Sequence, residues 1–157
     1  MLEIKNKAGI ITIVDDNKTE ITFETESNNV YLGGFDVTYP GEYEKSGILL
    51  EVKEYAEKLF FHFLVDGKHI VIINTDTLDL KEEILSFFGD VDILLITGSK
   101  ESAKLFENIE AKIVIPYAEG KDIFLNTLGQ HIEEVSSYKI KAELPYDNTE
   151  FVNLEIK

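Results

Sequence analysis

Three strand-length runs that are apolar on both faces limit what this chain can fold into. They are residues 70–73 (Ile-Val-Ile-Ile), residues 91–96, broken only by Asp92, and residues 113–115 (Ile-Val-Ile). Successive side chains of a strand point to opposite faces, so a strand that is apolar throughout needs cover on both sides. The segments between and after these runs can supply one covering layer. Residues 80–88 place Leu80, Ile84, Leu85, Phe87 and Phe88 close to helical spacing, with Gly89 as a C-terminal stop. Ser99 stands where it can cap a helix through residue 108, with Ala103, Leu105 and Phe106 facing inward. Residues 123–128 give a further helix, closed by Gly129. Strand, helix, strand in this order with short connections predicts parallel crossovers.

The chain ahead of these runs reads as strands and turns. Residues 10–14 are β-branched and end at Asp15-Asp16-Asn17, and residues 20–24 alternate polar and apolar. Residues 30–32 are cut off by Gly33-Gly34 before residues 35–38. After Pro40-Gly41, expected as a turn, come strands over residues 48–53 and 59–65, and Asp66-Gly67 marks a hairpin into the first apolar run. Two closing strands, residues 138–142 and 151–156, flank Pro145-Tyr146-Asp147-Asn148. No linker, repeat or low-complexity stretch interrupts the 157 residues, so one α+β domain, 1–157, is expected. An early antiparallel sheet and a later part-parallel sheet backed by helices would form two packed layers with helices outside.

Charge and composition remove several classes of function. The net charge is −15, and all 15 basic residues are lysine. Arginine, the usual bidentate ligand of phosphate and of guanine edges, is absent, and an acidic domain repels nucleic acid and anionic lipid. No nucleic-acid or membrane partner is expected, and no apolar run reaches bilayer length. With no cysteine there is neither a disulfide framework nor a thiolate ligand or nucleophile. The opening Met1-Leu2-Glu3-Ile4-Lys5 lacks a basic region followed by an apolar one. A cytoplasmic protein without a secretory leader is the expectation.

Three longer segments carry a family likeness. The first is Tyr39-Pro40-Gly41-Glu42-Tyr43-Glu44-Lys45-Ser46-Gly47-Ile48, the second Gly89-Asp90-Val91-Asp92-Ile93-Leu94-Leu95-Ile96, the third Ala111-Lys112-Ile113-Val114-Ile115-Pro116. With Leu144-Pro145 ahead of the final strand, their order and spacing resemble the branch of the metallo-β-lactamase superfamily that includes ascorbate-lactonase-like proteins. The likeness covers about residues 30 to 157, and the Pro-Gly-Glu-Tyr-Glu segment is its most specific part. It implies an αββα sandwich and a metal-dependent hydrolase. Because the chain ahead of Pro40 is too short for the family's usual first βα units, it also implies truncation of the N-terminal half.

The departures from the family pattern bear on function. The family's early His-x-His-x-Asp-His motif binds one or two metal ions that generate hydroxide near neutral pH. Residues 1–39 contain no histidine. The later histidine of the family falls at Ala118, and the bridging aspartate falls near Asp76. Of the three histidines, His62 and His69 flank the expected hairpin and could meet across it, with Asp76 as a conceivable third ligand, while His131 follows a helix. Sheet packing or surface exposure is the ordinary reading of each. Glu42 and Glu44 read as solvated carboxylates beside a turn. Gly33-Gly34 and Gly98-Ser99 match no phosphate loop, and Ser46, Ser86 and Ser102 show no base partner. No catalytic, cofactor-binding or metal residue is therefore assigned, with Asp76, His62 and His69 as the candidates if one exists. The expectation is a non-catalytic binding or assembly module without a cofactor. The alternative is a metal-dependent hydrolase, using Zn or Mn, with a reduced or partner-completed site. A homodimer or a partner protein is expected, on the reasoning that a shortened first half leaves an apolar face or a strand edge uncovered.

Overall fold

The computed structural model describes residues 1–145 and 147–156. Its strands and helices run in the order β1 (Leu2–Lys7), β2 (Ile10–Val14), β3 (Glu20–Glu24), β4 (Asn29–Leu32), β5 (Phe35–Val37), β6 (Gly41–Lys45), β7 (Ile48–Tyr55), β8 (Lys58–Val65) and β9 (Lys68–Ile73). There follow α1 (Glu82–Phe88), β10 (Val91–Thr97), α2 (Lys100–Phe106), β11 (Ala111–Tyr117) and α3 (Lys121–Thr127). The chain closes with β12 (Glu134–Val135), β13 (Tyr138–Ile140), β14 (Glu150–Phe151) and β15 (Asn153–Leu154).

Two sheets hold most of these strands. The first has the order β13-β1-β2-β3-β4-β5 and is antiparallel throughout. The second has the order β14-β11-β10-β9-β8-β7-β6, antiparallel from β6 to β9 and parallel from β9 onward. Tight two-residue turns make five of the hairpins. Ala8-Gly9, Gly33-Gly34, Ser46-Gly47, Ala56-Glu57 and Asp66-Gly67 all have positive φ at both positions, the twist that suits a two-residue hairpin.

The boundary between the sheets differs from the sequence expectation. The antiparallel strands of residues 41–73 belong to the same sheet as the parallel ones, and the chain changes sheet between β5 and β6. Pro40-Gly41 is that crossing. Gly41, at φ +142°, pairs with Val52 as the first residue of the edge strand β6 and is not the corner of a tight turn. The expected strand at residues 151–156 is two short pieces, β14 and β15, in different sheets, and β12 pairs with β15. Tyr146, inside the expected Pro145–Asn148 turn, lies outside the described residues.

The doubly apolar strands find both of their covers inside the chain. One core lies between the sheets and joins Ile4, Ile11, Ile13 and Phe23 of the first to Phe61, Ile70, Ile72, Leu95 and Ile115 of the second. The other core packs Val71, Ile73, Leu94, Ile96 and Val114 against Ile84 and Phe88 of α1, Ala103 and Phe106 of α2, and Phe124 of α3. All three helices therefore lie on one side of the second sheet. Across the outer face of the first sheet runs a polar row, Lys5, Thr12, Thr22, Tyr31 and Asp36, which needs no covering layer. Two sheets with helices on one of them account for every described helix; the opposite helical layer of an αββα sandwich is not among the described residues. The inward faces of both sheets are thus covered within the chain.

Candidate functional site

The ends of the parallel strands come first, because ligands of open α/β sheets gather beyond the C-terminal ends. β9 runs out into Asn74-Thr75-Asp76, β10 into Gly98-Ser99, and β11 into Ala118-Glu119-Gly120. Asp76 and Ala118, the positions matched to the family's ligands, thus both follow C-terminal strand ends. Ala118 carries a methyl group on a backbone held at φ +72°. The loops after β10 and β11 touch backbone to backbone: a Cβ on Gly120 would lie 2.0 Å from the Gly98 oxygen, and one on Gly98 would lie 2.4 Å from the Lys121 nitrogen. Gly98 N–H donates to the Tyr117 carbonyl at 2.7 Å. Ser99 and Ser102 form a reciprocal capping box at the start of α2, the physical reason Ser102 is buried.

Beneath these loops the polar groups are engaged in structure. Tyr117 is buried between the sheets, its hydroxyl 3.5 Å from the Ile73 carbonyl, and burial pushes its pKa far up. Lys121, buried at the start of α3, donates to Glu134 (2.5 Å), Asn153 (2.7 Å) and the Leu154 carbonyl (3.0 Å), tying α3 to β12 and β15. Asn74 Nδ2 donates to the Leu59 carbonyl at 3.4 Å, while its buried Oδ1 has no partner among the described residues. The donor set at these strand ends does not suit a catalytic transition metal. It offers the Asp76 carboxylate and no imidazole, and Ala118 offers nothing. Among the described residues no three of His, Cys, Asp and Glu stand together as a metal cluster.

The histidines gather elsewhere. The Asp66-Gly67 turn sets the register Leu64↔His69 and His62↔Val71, which makes His62 and His69 diagonal neighbours on the helix side of the sheet. Their Nε2 and Nδ1 atoms are 2.9 Å apart. His62 Nδ1 lies 3.0 Å from the Phe87 carbonyl, which can only accept, so Nδ1 carries a proton, and in the neutral ring Nε2 is the acceptor from His69. The His69 backbone N–H donates to Asp92 Oδ2 at 2.8 Å, and Asp92 Oδ1 meets Lys112 Nζ at 3.3 Å. That pairing explains a carboxylate within an otherwise apolar strand. Asp76 is not part of the group: it follows the C-terminal end of β9, and His69 stands at the strand's start. His131 is exposed beyond α3, apart from both.

A cavity of about 270 Å³ opens over the pair, lined by Glu42, Leu49, Glu51, Leu64 and both histidines. Glu42 and Glu44 belong to the edge strand β6 and not to a turn, and Glu42, Glu51 and His62 form one cross-strand row. Glu51 went unnoticed in the sequence, although the hairpin registers 42↔51 and 51↔62 follow from counting back through two-residue turns. The Phe87 carbonyl could not have been foreseen, since it depends on where α1 docks. A larger cavity of about 980 Å³ lies at the N-terminal ends of β10 and β11. Asp90, Asp92, Glu107, Glu110 and Asp147 line it, with Lys112 as the one lysine among its described residues.

No protein-family model matches this chain, and no curated protein matches it. Among solved structures, it is similar to a crystal structure from Thermotoga maritima described as an inferred Zn-dependent hydrolase of the metallo-β-lactamase superfamily. The TM-score is 0.68 at 14% identity, covering 98% of this chain and 99% of that one. At that identity the likeness is one of fold, from end to end.

Proposed function

We propose that this chain, which has the metallo-β-lactamase-like fold, is a non-catalytic form of it that works as a binding or assembly module. The observation that carries the reading is the state of the strand ends. Where the family resemblance locates metal ligands, this chain has the single carboxylate of Asp76, the methyl of Ala118 and two loops packed glycine to glycine. A lone carboxylate binds zinc or manganese weakly and cannot generate hydroxide by itself. Assembly would proceed through strand edges, such as β5 and β6 where the chain changes sheet, in a homodimer or with a partner protein.

One observation favours the alternative, a metal-dependent hydrolase with a reduced or partner-completed site. Asp76 keeps a carboxylate at the end of β9, close in sequence to the orphaned Asn74 oxygen. Hydrolysis assays on lactone, thioester and phosphodiester substrates, with Zn²⁺ or Mn²⁺ added, separate the two. The expected result is no turnover above buffer, and no difference between the native chain and Asp76→Asn. Turnover that Asp76→Asn abolishes would overturn the non-catalytic reading. Light scattering over a concentration series reads the assembly state.

A further inference from the structure

Among the described residues the histidine pair is where two imidazole nitrogens converge beside an open cavity, and it lies away from the strand ends on which the preceding reading rests. Three features suit it to a cation. First, His62 is oriented as metal-binding histidines are: its Nδ1–H is spent on the Phe87 carbonyl, 3.0 Å away, which fixes the tautomer and presents the Nε2 lone pair. Second, that lone pair points at His69 Nδ1, whose strand is held in place by the bond from its backbone N–H to Asp92. Third, Glu51 lies directly across the ladder from His62, lines the same cavity, and its carboxylate makes no hydrogen bond or ion pair among the described residues.

We propose that His62 Nε2 and His69 Nδ1, with the Glu51 carboxylate as third donor, form a binding site for a divalent transition cation of the zinc, copper or nickel type. Two nitrogens on one tetrahedral ion at about 2.0–2.1 Å stand about 3.3 Å apart. The observed 2.9 Å is that of a shared hydrogen bond, so the rings need to part by only about 0.4 Å. No proton has to leave the protein. His69 keeps its own by moving it from Nδ1 to Nε2, which has no hydrogen-bond partner among the described residues. The carboxylate is not in ligating position as it stands, consistent with no cluster of three donors among the described residues. Glu51 is exposed and reaches the ion by side-chain rotation. Solvent completes the shell from the cavity. A two-imidazole, one-carboxylate set selects borderline metals over Mg²⁺ and Ca²⁺, which prefer all-oxygen shells.

The test is calorimetric titration of the full, untagged chain with zinc chloride alone, and in parallel with calcium chloride. One zinc per chain is expected, with no calcium binding. His62→Gln or His69→Gln should each weaken zinc at least tenfold, and Glu51→Gln by a smaller factor. Asp76→Asn and His131→Gln should leave affinity unchanged. Amide NMR spectra of the variants confirm that each is folded, so a loss of binding cannot be a loss of structure. Absence of zinc binding, or binding that survives both histidine substitutions, overturns the proposal. Neither outcome touches the non-catalytic reading, which stands or falls on Asp76-dependent turnover.

Discussion

At its C-terminal end β9 runs into Asn74-Thr75-Asp76, beside loops in which Gly98 and Gly120 press backbone against backbone. At its N-terminal end the same strand carries His69, next to His62, on a face that opens into a cavity. The first end is the one the family resemblance marks for chemistry, and there this chain is short of donors and tightly packed. The second end lies beside antiparallel strands, and there the two histidines are half-buried, Glu51 is exposed, and a cavity opens over all three. The contrast teaches that a shared fold conveys where a site can be built, while the side chains decide whether it is. Packing at one end and access at the other should also make the two respond differently to substitution.

The largest effect is expected at the packed end. Gly98→Ala adds a methyl group 2.4 Å from the Lys121 nitrogen, an overlap that only a backbone shift can relieve. A loss of about 3 kcal/mol or more should follow, lowering the melting temperature by about 6–12 °C. A midpoint within a degree or two of the native one would mean that these loops part easily, and the contrast between the ends would collapse.

Gly41 tests a different cost. At φ +142° a side chain is strained by the backbone itself, yet nothing stands within 4 Å of a Cβ there. Gly41→Val should therefore lose about 1–3 kcal/mol, and Gly41→Ala nearly as much, because room is not what is lacking. Thermal melts of both variants check this. If alanine were neutral and valine were not, crowding would be the cause and the strain argument would fail.

Alkaline pH probes the packed end through Tyr117. Burial raises its pKa in the folded state above the ordinary value near 10, so the neutral hydroxyl favours the fold. That contribution is whole below pH about 10 and is lost as pH climbs toward the folded-state pKa, at about 1 kcal/mol by pH 11. Burial, followed by the hydrogen bond and charge of Glu150, raises Tyr138 in the same direction. Denaturant midpoints of native protein should fall between pH 10 and 11, and Tyr117→Phe should flatten part of that fall. A parallel decline in both proteins would remove Tyr117 as a cause.

The smallest effect belongs to the open face. Glu51→Gln alters an exposed carboxylate without a bonded partner among the described residues, and its stability should stay within about 0.5 kcal/mol of native. A larger loss by denaturant titration would reveal that Glu51 holds the face together, and the contrast would need redrawing.

What the sequence determined by itself is local and periodic. The β-branched runs, the Asp66-Gly67 hairpin, the Gly89 stop and the Ser99 cap are all read from neighbours in the chain, and all appear where those neighbours place them. Even the meeting of His62 and His69 follows from counting residues back from a two-residue turn. Sheet membership does not follow from such counting. That residues 41–73 join the parallel strands, and that residues 2–37 with β13 cover their other face, depends on which apolar faces pack, a contest among distant segments. Asp76 shows the same limit, for its separation from the histidines is the length of β9. The Phe87 carbonyl on His62 and the glycine contact between the loops after β10 and β11 are likewise products of docking, since each joins groups that only packed layers bring within reach.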